Sequence, residues 1–272
     1  MKQKVFREER LQSIADRVLA GSRVYVEELA REFSVSPSSI RIDLAELETR
    51  GLLTRTHGGA ILSEKVDGHV ITQKSSLEMR RRLHLAEKDA IGRAAAALID
   101  EGDTLMMDGG STTLYVARHL AAKRNLTVIT NAVSLLPDLM TLPDVQIYVT
   151  GGLLDLSFAT LLGDLAIDGL SHFRTAKAIL GIDGISVGSG LSVTNAFVAA
   201  TKRKMIAASE QVIVVSDHTK LDQVCLIPLA PLSDMDYLVT DDGATTESVE
   251  AIRRCGARVI LARAEQAAPA ET

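Results

Sequence analysis

The chain has 272 residues, 46 % of them hydrophobic, with a formal net charge of −5 and a sequence pI near 5.7; that is enough for two domains or one large one around a substantial core. Aromatic residues make up only 3 % and Trp is absent, so the core is expected to be Leu, Ile, Val and Ala. Cys225 and Cys255 lie far apart with no CxxC spacing and no neighbouring His, which argues against a disulfide framework or a zinc site.

The opening MKQKVFREERLQ lacks the apolar run of a signal peptide, and no apolar stretch approaches the roughly 20 residues of a membrane span. A soluble, cytoplasmic protein that makes no membrane contact is expected. Charge is unevenly spread. Residues 1–63 hold 10 Lys and Arg against 9 Asp and Glu, and residues 64–90 hold 6 against 5. The other 14 basic and 21 acidic residues put a net −7 in the C-terminal part, so the acidity does not oppose an N-terminal contact with DNA.

In chain order, Leu11, Ile14, Ala15, Val18 and Leu19 recur at helical spacing up to Gly21. VEELAREFSV repeats the pattern with Leu29, Ala30 and Phe33. In SPSSIRIDLAELETRG, Ser36 can cap a helix, Pro37 suits its first position and Gly51 ends it, while Ile40, Leu44 and Leu47 make one apolar stripe. LLTR and GAIL flank THGG as a hairpin. From Ser63 the periodicity is lost, and residues 63–86 read as a linker that becomes helical toward its end. Its MRRRLH run is either a phosphate-contacting patch or, the plainer reading, a solvated helix face. Beyond it, seven short apolar runs (DTLMMD, LTVIT, VQIYVT, KAILGID, QVIVVSD, YLVTD and RVILA) alternate with helical segments such as STTLYVARHLAA, NAFVAATKRKMIAAS and TESVEAIRRCG. That alternation predicts an α/β domain over residues 87–264 with a mostly parallel sheet covered on both faces, followed by a disordered tail at 265–272.

Three helices and a hairpin over residues 1–62 describe a winged helix-turn-helix whose third helix enters the major groove. Ser36, Ser38, Ser39 and Arg41 would project toward double-stranded DNA; Arg41 suits a guanine edge or a phosphate. On the wing, Arg55 and His57 could reach the backbone or the minor groove, and Gly58–Gly59 permit the tight turn. Pattern alone leaves a helical interaction domain open. The string RLQSIADRVLAGSRVYVEELAREFSVSPSSIRIDLAELETRGLLTRTHGGAIL, however, closely resembles the N-terminal domain of the DeoR family of bacterial transcriptional regulators, and the resemblance runs through nearly the whole chain. Two positions depart from the family pattern. Arg41 is followed by Ile42 rather than a second arginine, and Tyr25 stands where a Ser or Thr commonly precedes the second helix.

In the C-terminal part, MMDGGSTTLYVARHL ends a strand at Asp108 and opens a helix after a glycine pair. Gly110 lets the backbone approach an anion, free N–H groups at the helix start favour phosphate, and Ser111, Thr112 and Thr113 add hydroxyls. A plain capped helix start is the alternative. Walker A and GxGxxG spacings are both absent, and no cofactor or metal is expected. Other strand ends contribute Thr130 and Asn131, Gly151 and Gly152, Asp183, and Asp217 with Lys220. In an open parallel sheet such ends gather in one crevice, where a lysine can neutralise phosphate and a carboxylate can accept from sugar hydroxyls. FATLLGDLAIDGL is expected to line the same crevice.

The resemblance implies an effector domain similar to ribose-5-phosphate isomerase, with Asp108, Ser111, Thr112 and Thr113 around a phosphate and Asn131, Asp183 and Lys220 around a sugar. It further implies a repressor of a sugar-catabolism operon, released by a phosphorylated sugar and acting as a homodimer or homotetramer. A sugar-phosphate isomerase with an appended DNA-binding domain is the rival reading. Enediol chemistry needs a positioned base and a second acid, yet GIDGIS carries Ile185 and Ser186 where that acid would stand, and the following helix holds no carboxylate before Glu210. A ligand-free oligomerisation domain would instead have a dry, apolar crevice.

Overall fold

The computed structural model describes residues 7–19, 23–49, 53–62 and 77–264. The described residues form two compact units, one up to Leu83 and one from His84 onward. The linker residues 63–76, the tail 265–272, and the expected helix stops Gly21 and Gly51 lie outside the described residues.

The first unit contains α1 (Arg7–Leu19), β1 (Val24–Tyr25), α2 (Val26–Phe33), α3 (Pro37–Thr49), β2 (Leu53–Thr56), β3 (Gly59–Leu62) and α4 (Leu77–Arg82). Leu11, Ile14 and Val18 of α1, Leu29 of α2, and the Ile40–Leu44–Leu47 stripe of α3 close on one core with Leu53 and Ala60 of the hairpin. Helix α3 starts at Pro37 as expected, and the Ser36 hydroxyl accepts the Ser39 N–H at 3.1 Å. Strand β1, which the sequence does not signal, pairs antiparallel with β3 through Val24–Ala60 and Tyr25–Gly59. Tyr25 offers α2 no side-chain cap, and the Val26 N–H donates instead to the Gly58 carbonyl at 2.9 Å. The wing turn thus does the work that a Ser or Thr cap does elsewhere.

Two charged residues are buried in this unit, Asp43 and Arg10. Asp43 falls on the apolar side of α3, 1 % exposed, and accepts from Arg10 Nε at 2.6 Å and Arg7 Nε at 3.3 Å. Both arginines come from α1, so the carboxylate ties the third helix to the first.

The second unit comprises α5 (Leu85–Ala96), β4 (Thr104–Met107), α6 (Ser111–Arg118), β5 (Thr127–Thr130), α7 (Leu136–Leu139), β6 (Gln146–Val149), β7 (Leu153–Asp155), β8 (Thr160–Leu162), α8 (Asp164–Ser171), β9 (Thr175–Gly181), β10 (Gly184–Ser186), β11 (Gly190–Val193), α9 (Ala196–Ala207), β12 (Ser209–Val215), β13 (Ile227–Ala230), β14 (Tyr237–Asp241), α10 (Thr246–Arg254) and β15 (Arg258–Ala262). Helix α5 begins at Leu85, inside the stretch read as linker. Seven strands form one parallel sheet in the order β15-β14-β12-β9-β4-β5-β6, and they are the seven apolar runs. Alternate residues serve two cores. Met106, Ala178, Leu180 and Val214 face α8, α9 and α10, while Leu105, Met107, Ile179 and Ile213 face α5, α6 and α7. Burial on both sides explains why the central runs are continuously hydrophobic; the edge strand β6 is exposed at three of its four residues. The small antiparallel sheet β10-β11-β13 and the hairpin β7-β8 were not expected; their three- and four-residue strands are too short to show a period.

From β4 the chain builds outward through β5 and β6, then returns to lay β9 on the other side of β4 and continues to β15. The sheet reverses direction between β4 and β9, so their carboxyl ends flank a crevice.

Two substitutions test the packing of the first unit. A Cβ at residue 59 would lie 2.1 Å from the Val24 carbonyl oxygen, so Gly59→Ala is expected to break the β1–β3 pairing and lower the first thermal transition. Asp43→Asn leaves the buried Arg10 without its charge partner, while Arg7 keeps Glu46, and should cost about 3–5 kcal/mol in chemical denaturation followed by helical circular dichroism. A loss below about 1 kcal/mol would reduce the Asp43 clasp to a surface-grade pair.

Candidate functional sites: the reading head and the strand-end crevice

On α3, Ser38, Arg41 and Ile42 are exposed on the face opposite the core stripe. Arg41 has no ion pair among the described residues. Ile42 is 61 % exposed, a large apolar side chain set beside a free guanidinium. The Ser36 and Ser39 hydroxyls lie 2.9 Å apart, engaged with each other in the helix cap. On the wing His57 is exposed, while Arg55 is held: its backbone N–H and its Nε reach the two Glu48 oxygens at 2.9 and 2.6 Å. Those hydrogen bonds, the backbone one foremost, keep the Glu48 carboxyl below its usual range. Arg55 therefore braces the wing against the end of α3.

In the second unit, Asp108 closes β4 and is 2 % exposed. Its carboxylate accepts the Gly181 N–H at 3.1 and 3.2 Å from the end of β9 and ion-pairs with Lys202 of α9, itself buried. Three elements are joined at the point where the sheet reverses. Lys202 was not singled out from the sequence, although it sits on the buried Ala199–Lys202–Met205 stripe of α9. A lysine on an apolar stripe was the available signal.

Around this pair the strand ends divide into braces and open groups. Gly109 packs where a Cβ would lie 2.0 Å from the Thr160 methyl, and Gly110 leads into α6 without a side chain to cap it. Thr113 is fully buried and its hydroxyl faces the Asp108 and Gly110 carbonyls, each at 3.0 Å. Thr130 donates to the Met107 carbonyl at 2.6 Å and accepts from the Ala132 N–H at 3.0 Å. These two threonines hold the loops. Ser111 and Thr112 begin α6 with hydroxyls that bond to no described residue. Asn131 donates to the Leu161 carbonyl at 2.9 Å, while its Oδ1 is buried without a partner, as are the Thr160, Ser216 and Thr240 hydroxyls. Asp183 accepts the Thr194 N–H at 3.0 Å and the Thr194 hydroxyl at 3.1 Å. Gly151 and Gly152 stand past β6, against Leu165, Leu162 and Ala166 rather than beside Asp108.

A second polar group lies past β12. Asp241 accepts the His218 N–H at 2.7 Å, His218 Nδ1 at 2.6 Å and the Gly243 N–H at 3.0 Å, fixing the SDHTKL turn. The His84 ring meets the His218 ring edge-on at 5.5 Å. Burial pushes the Asp217 carboxyl up, but the charge of Lys220, a hydrogen bond from Thr219 and the charges of Lys88 and His84 outweigh it and hold Asp217 below its usual value. Lys88, 2 % exposed on the buried face of α5, is a second lysine that the sequence reading passed over.

The description "DeoR C terminal sensor domain" matches residues 83–242, more than half of the chain, and "DeoR-like helix-turn-helix domain" matches residues 10–66. The chain belongs to the DeoR family of transcriptional regulators. It is 33 % identical over 263 residues to the HTH-type transcriptional repressor GlcR of Bacillus subtilis, covering 96 % of this chain and 99 % of that protein. The transcriptional repressor AccR of Agrobacterium fabrum is 38 % identical over 219 residues, covering 80 % and 83 %. The glycerol-3-phosphate regulon repressor of Escherichia coli is 34 % identical over 218 residues, covering 80 % and 84 %. Among solved structures, ribose 5 phosphate isomerase A from Neisseria gonorrhoeae is similar at a TM-score of 0.36, with 15 % identity over 50 % of this chain and 53 % of that one. No helix among the described residues of this DeoR-family chain is long and apolar enough to cross a membrane.

Two outcomes are expected for the sensor domain. Lys202→Met leaves Asp108 buried and uncompensated and should cost about 3–5 kcal/mol, whereas Lys202→Met with Asp108→Leu should recover most of it; equal losses in denaturant titrations of both variants would contradict the pairing. Because the folded Asp217 pKa is depressed, its contribution to stability is present above the unfolded carboxylate value and is lost as pH falls through the folded one. Asp217→Asn should therefore flatten the acid limb of the melting temperature against pH, and an unchanged limb would remove that assignment.

Proposed function

We propose that this regulator is a cytoplasmic repressor of a sugar-catabolism operon, and that a phosphorylated sugar releases it from its operator. The first turn of α6, uncapped by any side chain, opens at the reversal point of the sheet, next to a buried lysine and beside polar atoms that lack partners. Free N–H groups at a helix start and a nearby cation suit a phosphate. Asn131 Oδ1 and the strand-end hydroxyls suit a polyhydroxylated body, since buried polar groups are costly until paired. Ser111 and Thr112 would meet the phosphate, with Asn131, Asp183 and Lys220 around the sugar and Asp108 holding Lys202 in place. The names of the relatives, among them a glycerol-3-phosphate regulon repressor, support the same direction.

The isomerase alternative finds no acid at the positions where its second acid was expected. Ile185 is fully buried, Asp183 is engaged by Thr194, and Glu210 lies near the start of β12, at the end of the sheet away from the crevice. In the reading head, Arg41 would take a guanine edge or a phosphate and Ile42 a thymine methyl. Paired reading heads on repeated half-sites imply two or four copies.

Fluorescence anisotropy of the full chain on DNA from upstream of its own gene tests both halves, run with sugar phosphates and their unphosphorylated parents. Release by one phosphate and not by its parent sugar is the expected result, and DNA binding that no phosphate alters would sink the sensor assignment. Arg41→Ala should lose about 1–3 kcal/mol of operator affinity with effector binding intact, and Lys220→Ala should do the converse.

A further inference from the structure

We infer that β6 and the β7-β8 hairpin form the surface on which a second copy of this chain docks, an inference that rests on the reading of paired DNA-binding heads. Strand β6 is an edge of the seven-stranded sheet among the described residues. On and beside it stand Tyr148 (46 % exposed), Val149 (44 %), Leu153 (78 %), Leu154 (41 %), Leu156 (84 %) and Leu165 (70 %). They border one sheet edge, Tyr148, set against the Phe173 ring at 5.0 Å, and Val149 alternating to its two faces. Val149 leads through Thr150, Gly151 and Gly152 into Leu153, Leu156 follows β7 at the hairpin tip, and the Leu165 Cβ lies against Gly151. Together they present on the order of 700 Å² of apolar surface, close to the about 800 Å² that one partner of a standard interface covers and beyond what single domains usually leave open.

Two features select a second copy as the occupant. A two-fold interface sets each patch against itself, so a charged patch repels its own copy. The sensor part of the chain is acidic, yet residues 145–154 contain no charged side chain, and the carboxylates nearest the patch are Asp155 and Asp164 at its border. The opposite edge provides the contrast. Strand β15 is flanked by the exposed Arg258 and Arg263, the kind of charge that guards an edge from pairing. Strand β6 carries no charge of its own, its nearest exposed charges being Asp144 and Arg124 before its start, and no strand among the described residues covers it.

Sedimentation velocity on the full 29.2 kDa chain tests this. The expected result is a wild-type mass of two chains or a multiple of two, and half that mass for Leu153→Asp with Leu156→Asp. Phe197→Asp, on a separate exposed apolar residue (64 %), should leave the mass unchanged. If the aspartate pair does not fold by circular dichroism, the milder Leu153→Ser with Leu156→Ser is measured instead. A monomeric wild type, an unchanged mass in the folded double variant, or dissociation by Phe197→Asp alone would each overturn the proposal. So would a double variant that keeps its mass but no longer binds the sugar phosphates of the anisotropy panel, since the patch would then be a wall of the crevice. Effector release can fail while the mass still halves, so the two readings stand or fall separately.

Discussion

Asp108 stands where the sheet reverses direction, and taking its charge out of water has a cost that the surrounding structure must offset. Burying a carboxylate is tolerable only with a close counter-charge and further hydrogen bonds. Here Lys202 supplies the charge and the Gly181 N–H supplies the hydrogen bonds. Each partner comes from a different element, so β4, β9 and α9 can relax only together. The loop after Asp108 inherits that fixity. Gly109 fits against Thr160, Thr113 ties the loop to its own carbonyls, and the first turn of α6 is delivered to one place.

The reading head uses the same physics on a smaller core. Asp43, buried among leucines, holds α3 to α1 through Arg7 and Arg10. Such pairs are not required for stability as such, because apolar residues of equal volume can do as well or better. A misplaced α3 would leave the Asp43 charge unpaired, a cost that opposes other orientations of that helix. Arg55 follows the same logic at the surface, bracing the wing through Glu48.

The acidity of the chain and its use of DNA are reconciled by geography. The excess of carboxylates lies C-terminal to the helix-turn-helix unit, whose exposed α3 face carries Arg41 and Ser38. In the sensor domain most of the carboxylates named at strand ends are already committed. Asp108 binds Lys202, Asp217 binds Thr219, and Asp241 binds His218.

The seven parallel strands, the helix starts at Pro37 and Ser111, and the hairpin after α3 were legible in the sequence because each is a local pattern: a continuous apolar run, a cap, a glycine pair. The family resemblance was legible for the same reason. What the sequence could not decide was which polar residues at the strand ends would brace and which would remain open. Thr113 and Thr130 look like Ser111 and Thr112 in sequence, but only the first two meet backbone carbonyls in the fold. Strand β1 was hidden because two residues have no period, and it exists only because β3 lies beside it. Lys88, Lys202 and Asp43 left a trace, each a charge on an apolar helical stripe, but a stripe does not name its partner. Lys202 and Asp108 are 94 positions apart in the chain, and Arg10 and Asp43 are 33 apart. Periodicity reports which face of an element is buried; only the packing of one element on another decides which charges meet there.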